Sequence, residues 1–329
     1  MVTVIPVRLS SAGTLAAWTP TPASNPRHIV SPRCHNQRMR IVSLLPSATE
    51  IVVALGLEDQ LLGVTDECDH PAVRSKRVVV RARQPAGLTQ GEIDAWVTEQ
   101  APNGGLYRLD DAAIADIAPE LVLTQDLCRV CAVPTGDVDA ALQRVGCPSQ
   151  VVTLEPLTLD DVLATVVAVA DAAGIGEHGR RVAAGLRARL DAVRAAIAIR
   201  PPVPTLVLEW LDPPYTAGHW VPDVVRAAGG EPLLGTSGCR SQPTDWESVG
   251  RTRPEVVVLA PCGIDPRATW DLASVVPAGI MGSRTVAADL ARPGPGLVDA
   301  VEALAAVLHP DTGLPLRPEV MVPRPGGDT

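Results

Sequence analysis

The chain has 329 residues, room for about two domains, and its 46% hydrophobic and 20% charged content lets it bury a large core, which excludes wholesale disorder. With 28 basic against 37 acidic residues the formal charge is −9, and a surface without a basic excess argues against nucleic-acid binding. Every basic residue but Lys76 is arginine, and phenylalanine is absent, so the six tryptophans and two tyrosines are worth locating one by one.

Residues 1–38 contain five prolines and no periodic apolar pattern, and read as a disordered extension. The opening stretch MVTVIPVRLSSAGTLAAW lacks a charged n-region and is broken by Pro6 and Arg8, unlike a secretory leader, and Cys34 follows no apolar run of the kind that precedes a lipid anchor. Seven cysteines, an odd number, fit a reducing compartment, so the expected location is cytoplasmic. Nowhere does a run of about eighteen apolar residues predict a membrane span.

Regular structure begins at Met39. RIVSLL is a short apolar strand, PSATEIVVALGL a loop running into a helix that Gly56 closes, and LLGVT a second strand followed by the polar loop DECDHP. Residues 85–105 predict a helix framed by glycine and proline, LDDAAIADIAP a short amphipathic helix, and ELVLT a strand entering QDLCRVCAVP. A further helix and strand, DVDAALQRVG and SQVVTL, complete an alternation that predicts a doubly wound parallel sheet. Two helices follow, the second recurring at Val182, Leu186, Leu190, Val193 and Ile197 and halted by Pro201, Pro202 and Pro204. TLVLEW then restarts the strand–helix alternation.

The two α/β parts echo each other: PELVLTQDLC and PEVVVLAPC share Pro-Glu, a β-branched strand and a loop reaching a cysteine. The expected fold class is therefore α/β: two Rossmann-like lobes with parallel sheets joined by a long rigid helix, with a ligand cleft between the lobes. The expected division is a lobe at 39–157, a helical spine at 158–200, a second lobe at 201–310 and a tail at 311–329. Ligands of such sheets sit beyond the carboxyl ends of the strands, which directs attention to PSATE, TDECDHP, TQDLCRVCAVP, LDPPYTAGHWVP and APCGID. These loops hold Cys68, Cys128, Cys131 and Cys262 together with His70, Tyr215, His219 and Trp220. Cys128 and Cys131 form a C-x-x-C, a spacing used both by zinc or iron–sulfur sites and by thiol redox enzymes. Phosphate-loop, G-x-S-x-G and H-E-x-x-H motifs are all missing from the sequence.

SLLPSATEIVVALGLEDQLLGVTDECDHP, the long central helix, LDPPYTAGHWVPDVVRAAGGEPLL and TDWESVGRTRPEVVVLAPCG together resemble the cobalamin-binding branch of the helical-backbone (class III) substrate-binding proteins, which serve iron-chelate and cobalamin ABC transporters. The resemblance runs over residues 39–309. It implies a non-enzymatic protein that grips a corrinoid in a shallow cleft with aromatic side chains and loop backbone. By motif position the implied ligand contacts are Pro46, Ser47 and Thr49 in a first loop, Asp66 in a second loop whose His70 stands where relatives often carry an aromatic, Tyr215, His219 and Trp220 in the second lobe, and Trp246 near the rim. Segment 85–105 looks like an insertion relative to exported relatives. Transporter-coupled members present an acid on each lobe to a permease; Asp110 fits on the first lobe, while the matching second-lobe position is Thr252. Two readings from other classes stand beside it: a metal centre of zinc or iron–sulfur type on Cys68, Cys128, Cys131 and Cys262, and a thiol redox enzyme using Cys128 and Cys131.

Overall fold

The computed structural model describes residues 3–7, 39–100, 106–127, 133–282 and 284–325. Its first sheet contains β1 (Thr3–Val7), β2 (Ile41–Ser43), β3 (Leu61–Thr65), β4 (Arg77–Ala82), β5 (Tyr107–Leu109), β6 (Leu121–Thr124) and β7 (Gln150–Leu154), in the spatial order β1-β7-β6-β2-β3-β4-β5. All neighbours are parallel except β4 and β5. The connecting helices are α1 (Pro46–Ala54), α2 (Gln90–Gln100), α3 (Asp111–Ile117) and α4 (Thr135–Arg144). Strand β6, Leu-Val-Leu-Thr, is buried along its whole length, as a central parallel strand covered on both faces must be.

Helices α5 (Leu159–Ala172) and α6 (Gly176–Ile197) follow as a packed pair. Thr158 caps α5 in a reciprocal box with Asp161, satisfying two amide groups that the first turn leaves unpaired. Helix α6 buries Leu186, Leu190 and Val193, with Val182 and Ile197 packed at the margin of the same core, so its apolar stripe lies where the periodicity places it. At Gly179 the two helices touch so closely that a Cβ would stand 2.2 Å from the Cβ of Ala170.

The second sheet comprises β8 (Val203–Leu211), β9 (Pro214–Thr216), β10 (Gly230–Leu233), β11 (Val256–Leu259), β12 (Thr285–Ala288) and β13 (Met321–Pro323), ordered β10-β8-β11-β12-β13 with β9 antiparallel to β8. Helices α7 (Val221–Ala227), α8 (Trp246–Arg251), α9 (Thr269–Leu272) and α10 (Gly296–Leu308) connect it. The order β12-β11-β8-β10 repeats β7-β6-β2-β3 of the first sheet, which gives the Pro-Glu echo a structural basis. Glu120 N donates to Arg40 O (2.8 Å) at the start of β6, and Glu255 N donates to Pro204 O (2.9 Å) at the start of β11. One core runs from α1 and α5 through α6, α7 and α10, and Arg189 of α6 reaches Asp299 and Glu302 of α10 at 2.5 and 2.7 Å. The spine is thus fastened to both sheets.

Two stretches set apart by the sequence reading join the sheets. Residues 3–7 of the expected extension pair in parallel with β7, and Met321–Pro323 of the expected tail pair antiparallel with β12. Both strands lie at a sheet edge, where proline is tolerated because one side of the backbone needs no partner. The rest of the expected extension, residues 8–38, lies outside the described residues.

Candidate functional site

The loops after β2, β3, β8 and β12 carry the side chains that meet between the lobes. In the first lobe Pro46 occupies the first turn of α1, where a missing N–H costs no hydrogen bond. Ser47 and Thr49 are 4% and 1% exposed, so neither side chain faces a solvent-filled cleft. Ser43 Oγ donates to Leu45 O (2.9 Å), Thr49 Oγ1 donates to Ser43 Oγ (2.9 Å), and Thr49 Oγ1 lies 3.1 Å from Cys68 Sγ. Each hydroxyl has one proton to give. Thr49 has spent its proton on Ser43, so Cys68 is the donor in the last contact and is a neutral thiol. Burial pushes the Cys68 thiol up in the same sense.

The loop after β3 turns toward the second lobe. Asp66 is tied locally, its Oδ1 accepting from Ala82 N at 3.3 Å, and His70 Nδ1 accepts from Ala72 N at 3.2 Å to cap a short turn. Asp69 reaches across. Both its oxygens meet the guanidinium of Arg292, in the loop after β12, at 2.6 and 2.9 Å. Arg292 also lies 3.0 Å from Asp289 and 3.7 Å from Glu50 of α1. That guanidinium holds the Asp69 carboxyl below the usual carboxylate range, while burial raises Glu50 to about 7 and pushes Asp289 up.

In the second lobe Glu209, near the end of β8, organises the loop that follows β9. Its carboxylate accepts from Gly218 N (2.8 Å) and from the Ser241 hydroxyl. A Cβ at residue 218 would stand 2.3 Å from Ser241 N, so only glycine allows the two segments to touch. His219 is held in the left-handed region at φ 49°, with its N–H on Cys239 O and its carbonyl accepting from Gly238 N. Its ring lies 5.5 Å from that of Trp220. Burial, with the charge of Arg240, lowers the His219 pKa and favours the neutral ring, whose Nε2 is buried without a partner.

Trp220, expected on the ligand, is a core residue instead. It is 6% exposed, and its indole N–H donates to Leu290 O at 2.8 Å. Trp246 opens α8 after the cap Asp245 and packs half-buried against the second-lobe core. Tyr215, on β9, is half-buried, and its hydroxyl donates to Asp94 Oδ1 of α2 at 3.0 Å. Asp94 and its neighbour Gln90 escaped the sequence reading, although the position of 85–105 as an insertion was a pointer to them.

The expected four-thiol metal centre finds no support. Cys128 and Cys131 lie outside the described residues, Cys262 is exposed and Cys68 is a hydrogen-bonded thiol. Among the described residues no group of three or more His, Cys, Asp or Glu is placed to hold a metal ion. None of the described helices is long and apolar enough to cross a membrane.

Residues 41–288 match the model of the family described as "Periplasmic binding protein". A protein of Vibrio cholerae serotype O1 named "Vitamin B12-binding protein" is 26% identical over 277 residues, which cover 82% of this chain and 88% of that protein. Among solved structures, the periplasmic vitamin B12 binding protein BtuF of Vibrio cholerae superposes with a TM-score of 0.59 at 22% identity, covering 83% of this chain and 98% of that one. A periplasmic heme binding protein from Pseudomonas aeruginosa superposes at 0.65 with 20% identity, covering 87% and 98%. At such identities the superpositions establish the two-lobe fold. The same matches correct the expected cytoplasmic location, since the family and these relatives are periplasmic. An unpaired cysteine count and an unconvincing opening stretch do not fix a compartment, because a protein this size folds around its core without disulfides wherever it resides.

Proposed function

Because this chain belongs to the periplasmic binding protein family, we propose that it captures a cobalamin-type corrinoid between its two lobes and releases it unchanged to an ABC permease. It is a binding protein and not an enzyme. The observation that carries this reading is the match to a vitamin B12-binding protein over 82% of this chain and 88% of that protein, a length that takes in both lobes and the spine between them.

The geometry supplies suitable parts. A flat, largely apolar macrocycle is held best by rigid aromatic faces that bury much area at little entropic cost. Tyr215 and Trp246 are the half-buried aromatic residues in this role. Pro46, Ser47 and the backbone of their turn, fixed from behind by Thr49, form the opposing wall, with Asp66 at its polar edge. His219 presents a neutral ring beside Tyr215's strand. Asp110 is exposed on the first lobe, though its Oδ1 also caps α3 through Ala113 N at 2.9 Å. On the second lobe the Thr252 hydroxyl is turned back onto Val249 O, so permease docking there falls to another group.

The test is an ultraviolet–visible spectrum of the purified protein, anaerobic, before and after adding cobalamin and passing it over a desalting column. Corrin bands that co-elute with the protein support the reading. Cluster bands in the protein as isolated, or cobalamin that separates from it completely, contradict it.

A further inference from the structure

Helix α2 leaves the first lobe and lies against the second. Gln90, in its first turn, is 5% exposed, and its Oε1 accepts from Leu211 N of β8 at 3.2 Å. A backbone N–H requires an oxygen, so the orientation of the Gln90 amide is settled. Its Nε2 is then a buried donor without a partner. At residue 91 a Cβ would lie only 3.1 Å from Asp212 Oδ2, so the helix presses closely on the β8–β9 turn. Asp94, four residues after Gln90 and on the same helical face, accepts the Tyr215 hydroxyl at 3.0 Å.

Buried donors are almost always satisfied in native proteins, and an exception calls for an explanation. Here an unused donor and a carboxylate sit one helical turn apart, beside the aromatic residue assigned to the ligand. A primary carboxamide is the group that uses both: its oxygen accepts from Gln90 Nε2, and its NH2 donates to Asp94. A carboxylate arm would find the donor but be repelled by Asp94.

We propose that α2 is a third wall of the cleft, and that Gln90 and Asp94 read a carboxamide arm of the bound ligand once Tyr215 gives up Asp94. This rests on the corrinoid reading above, since corrin rings are fringed with carboxamides whereas heme carries carboxylates.

The experiment is calorimetric titration of the full chain with cyanocobalamin and, separately, hemin. Asp94→Ala weakens cyanocobalamin binding about tenfold, the worth of one charge-assisted hydrogen bond. Gln90→Leu, of similar volume but without polar atoms, weakens it as well. Tyr215→Phe keeps the ring, removes the competing hydroxyl and tightens binding by about threefold. Asp94→Asn narrows the preference for cyanocobalamin over hemin. If α2 were only a strap that preforms the cleft, Tyr215→Phe and Asp94→Ala would weaken binding alike, and that overturns the proposal. Unchanged affinity in Asp94→Ala also overturns it while leaving the corrinoid reading intact. A wild-type chain that binds no cyanocobalamin overturns the reading itself.

Discussion

Arg292 grips Asp69 through both carboxylate oxygens, and the two residues belong to different lobes. The pair is reinforced by Asp289 and Glu50, which crowd the same guanidinium. Such a network resists lobe separation because several hydrogen bonds break together when it opens. Removing the cation leaves Asp69, Asp289 and Glu50 without the partner they share. Arg292→Met is therefore expected to lower stability by about 1–3 kcal/mol, since the arginine is mostly buried while Asp69 is exposed enough to rehydrate. Urea unfolding at neutral pH checks this, and an unchanged midpoint would make the contact incidental.

Glu50 gives the same network a pH signature. Its folded pKa is raised to about 7 by burial, against 4.5 for a free side chain. Between those values the unfolded chain is ionised at this position and the folded one is protonated, so stability falls as pH rises through the window. Below and above it the contribution is flat. Glu50→Gln removes this pH dependence, and its advantage over the wild type should grow from pH 4.5 to pH 7, to at most about 3 kcal/mol. A mutant whose advantage stays constant across that range would show that Glu50 is charged in the folded protein.

The helical spine depends on one close contact. Gly179 has no room for a side chain against Ala170. Gly179→Ala gains some helix propensity but forces α5 and α6 apart, and overpacking of this kind costs about 1–3 kcal/mol. Thermal unfolding of the variant should show a lowered midpoint. A raised midpoint would mean that the helices separate freely.

Two tryptophans are expected to behave in opposite ways. Trp220 fills the core and anchors its N–H on Leu290 O, so Trp220→Ala should destabilise the protein by about 3–5 kcal/mol. Trp246 lies at the edge of the second-lobe core. Trp246→Ala should cost about 1–3 kcal/mol of corrinoid affinity with a smaller loss of stability. Reversed effects would exchange their roles.

The parts of this protein that could be read from its residues are those encoded locally. β-Branched runs such as VVVL and LVLT mark strands buried on both faces, and the three–four spacing of Leu186, Leu190 and Val193 marks the buried face of α6. Pairings between distant polar groups leave no local trace. Nothing in QGEIDAW announces that Gln90 meets Leu211 or that Asp94 meets Tyr215, because the partner is chosen by how the lobes come together. Trp220 misled for a related reason: next to His219, ahead of Pro222, it looks like a ligand-facing pair, yet the left-handed turn at His219 sends the following ring into the core. The edge strands escaped because short proline-containing segments look like linkers until a neighbouring strand is in place.

Cys68 offers a check on the chemistry of the first loop. Its thiol is neutral and donates to Thr49, whereas Cys239 and Cys262 are exposed. Iodoacetamide at neutral pH should modify the two exposed thiols well before Cys68, because the thiolate is the reacting form. Peptide mapping by mass spectrometry reads the order directly, and early modification of Cys68 would reverse the hydrogen-bond chain inferred from Ser43 to Thr49.

Everything proposed for the cleft depends on a corrinoid binding between the lobes. Calorimetric titration of the wild-type chain and Trp246→Ala with cyanocobalamin, with hemin as comparator, tests it most directly. One cyanocobalamin per chain is expected, with weaker binding in the variant and a clear preference over hemin. Tight hemin binding without measurable cyanocobalamin binding would contradict it.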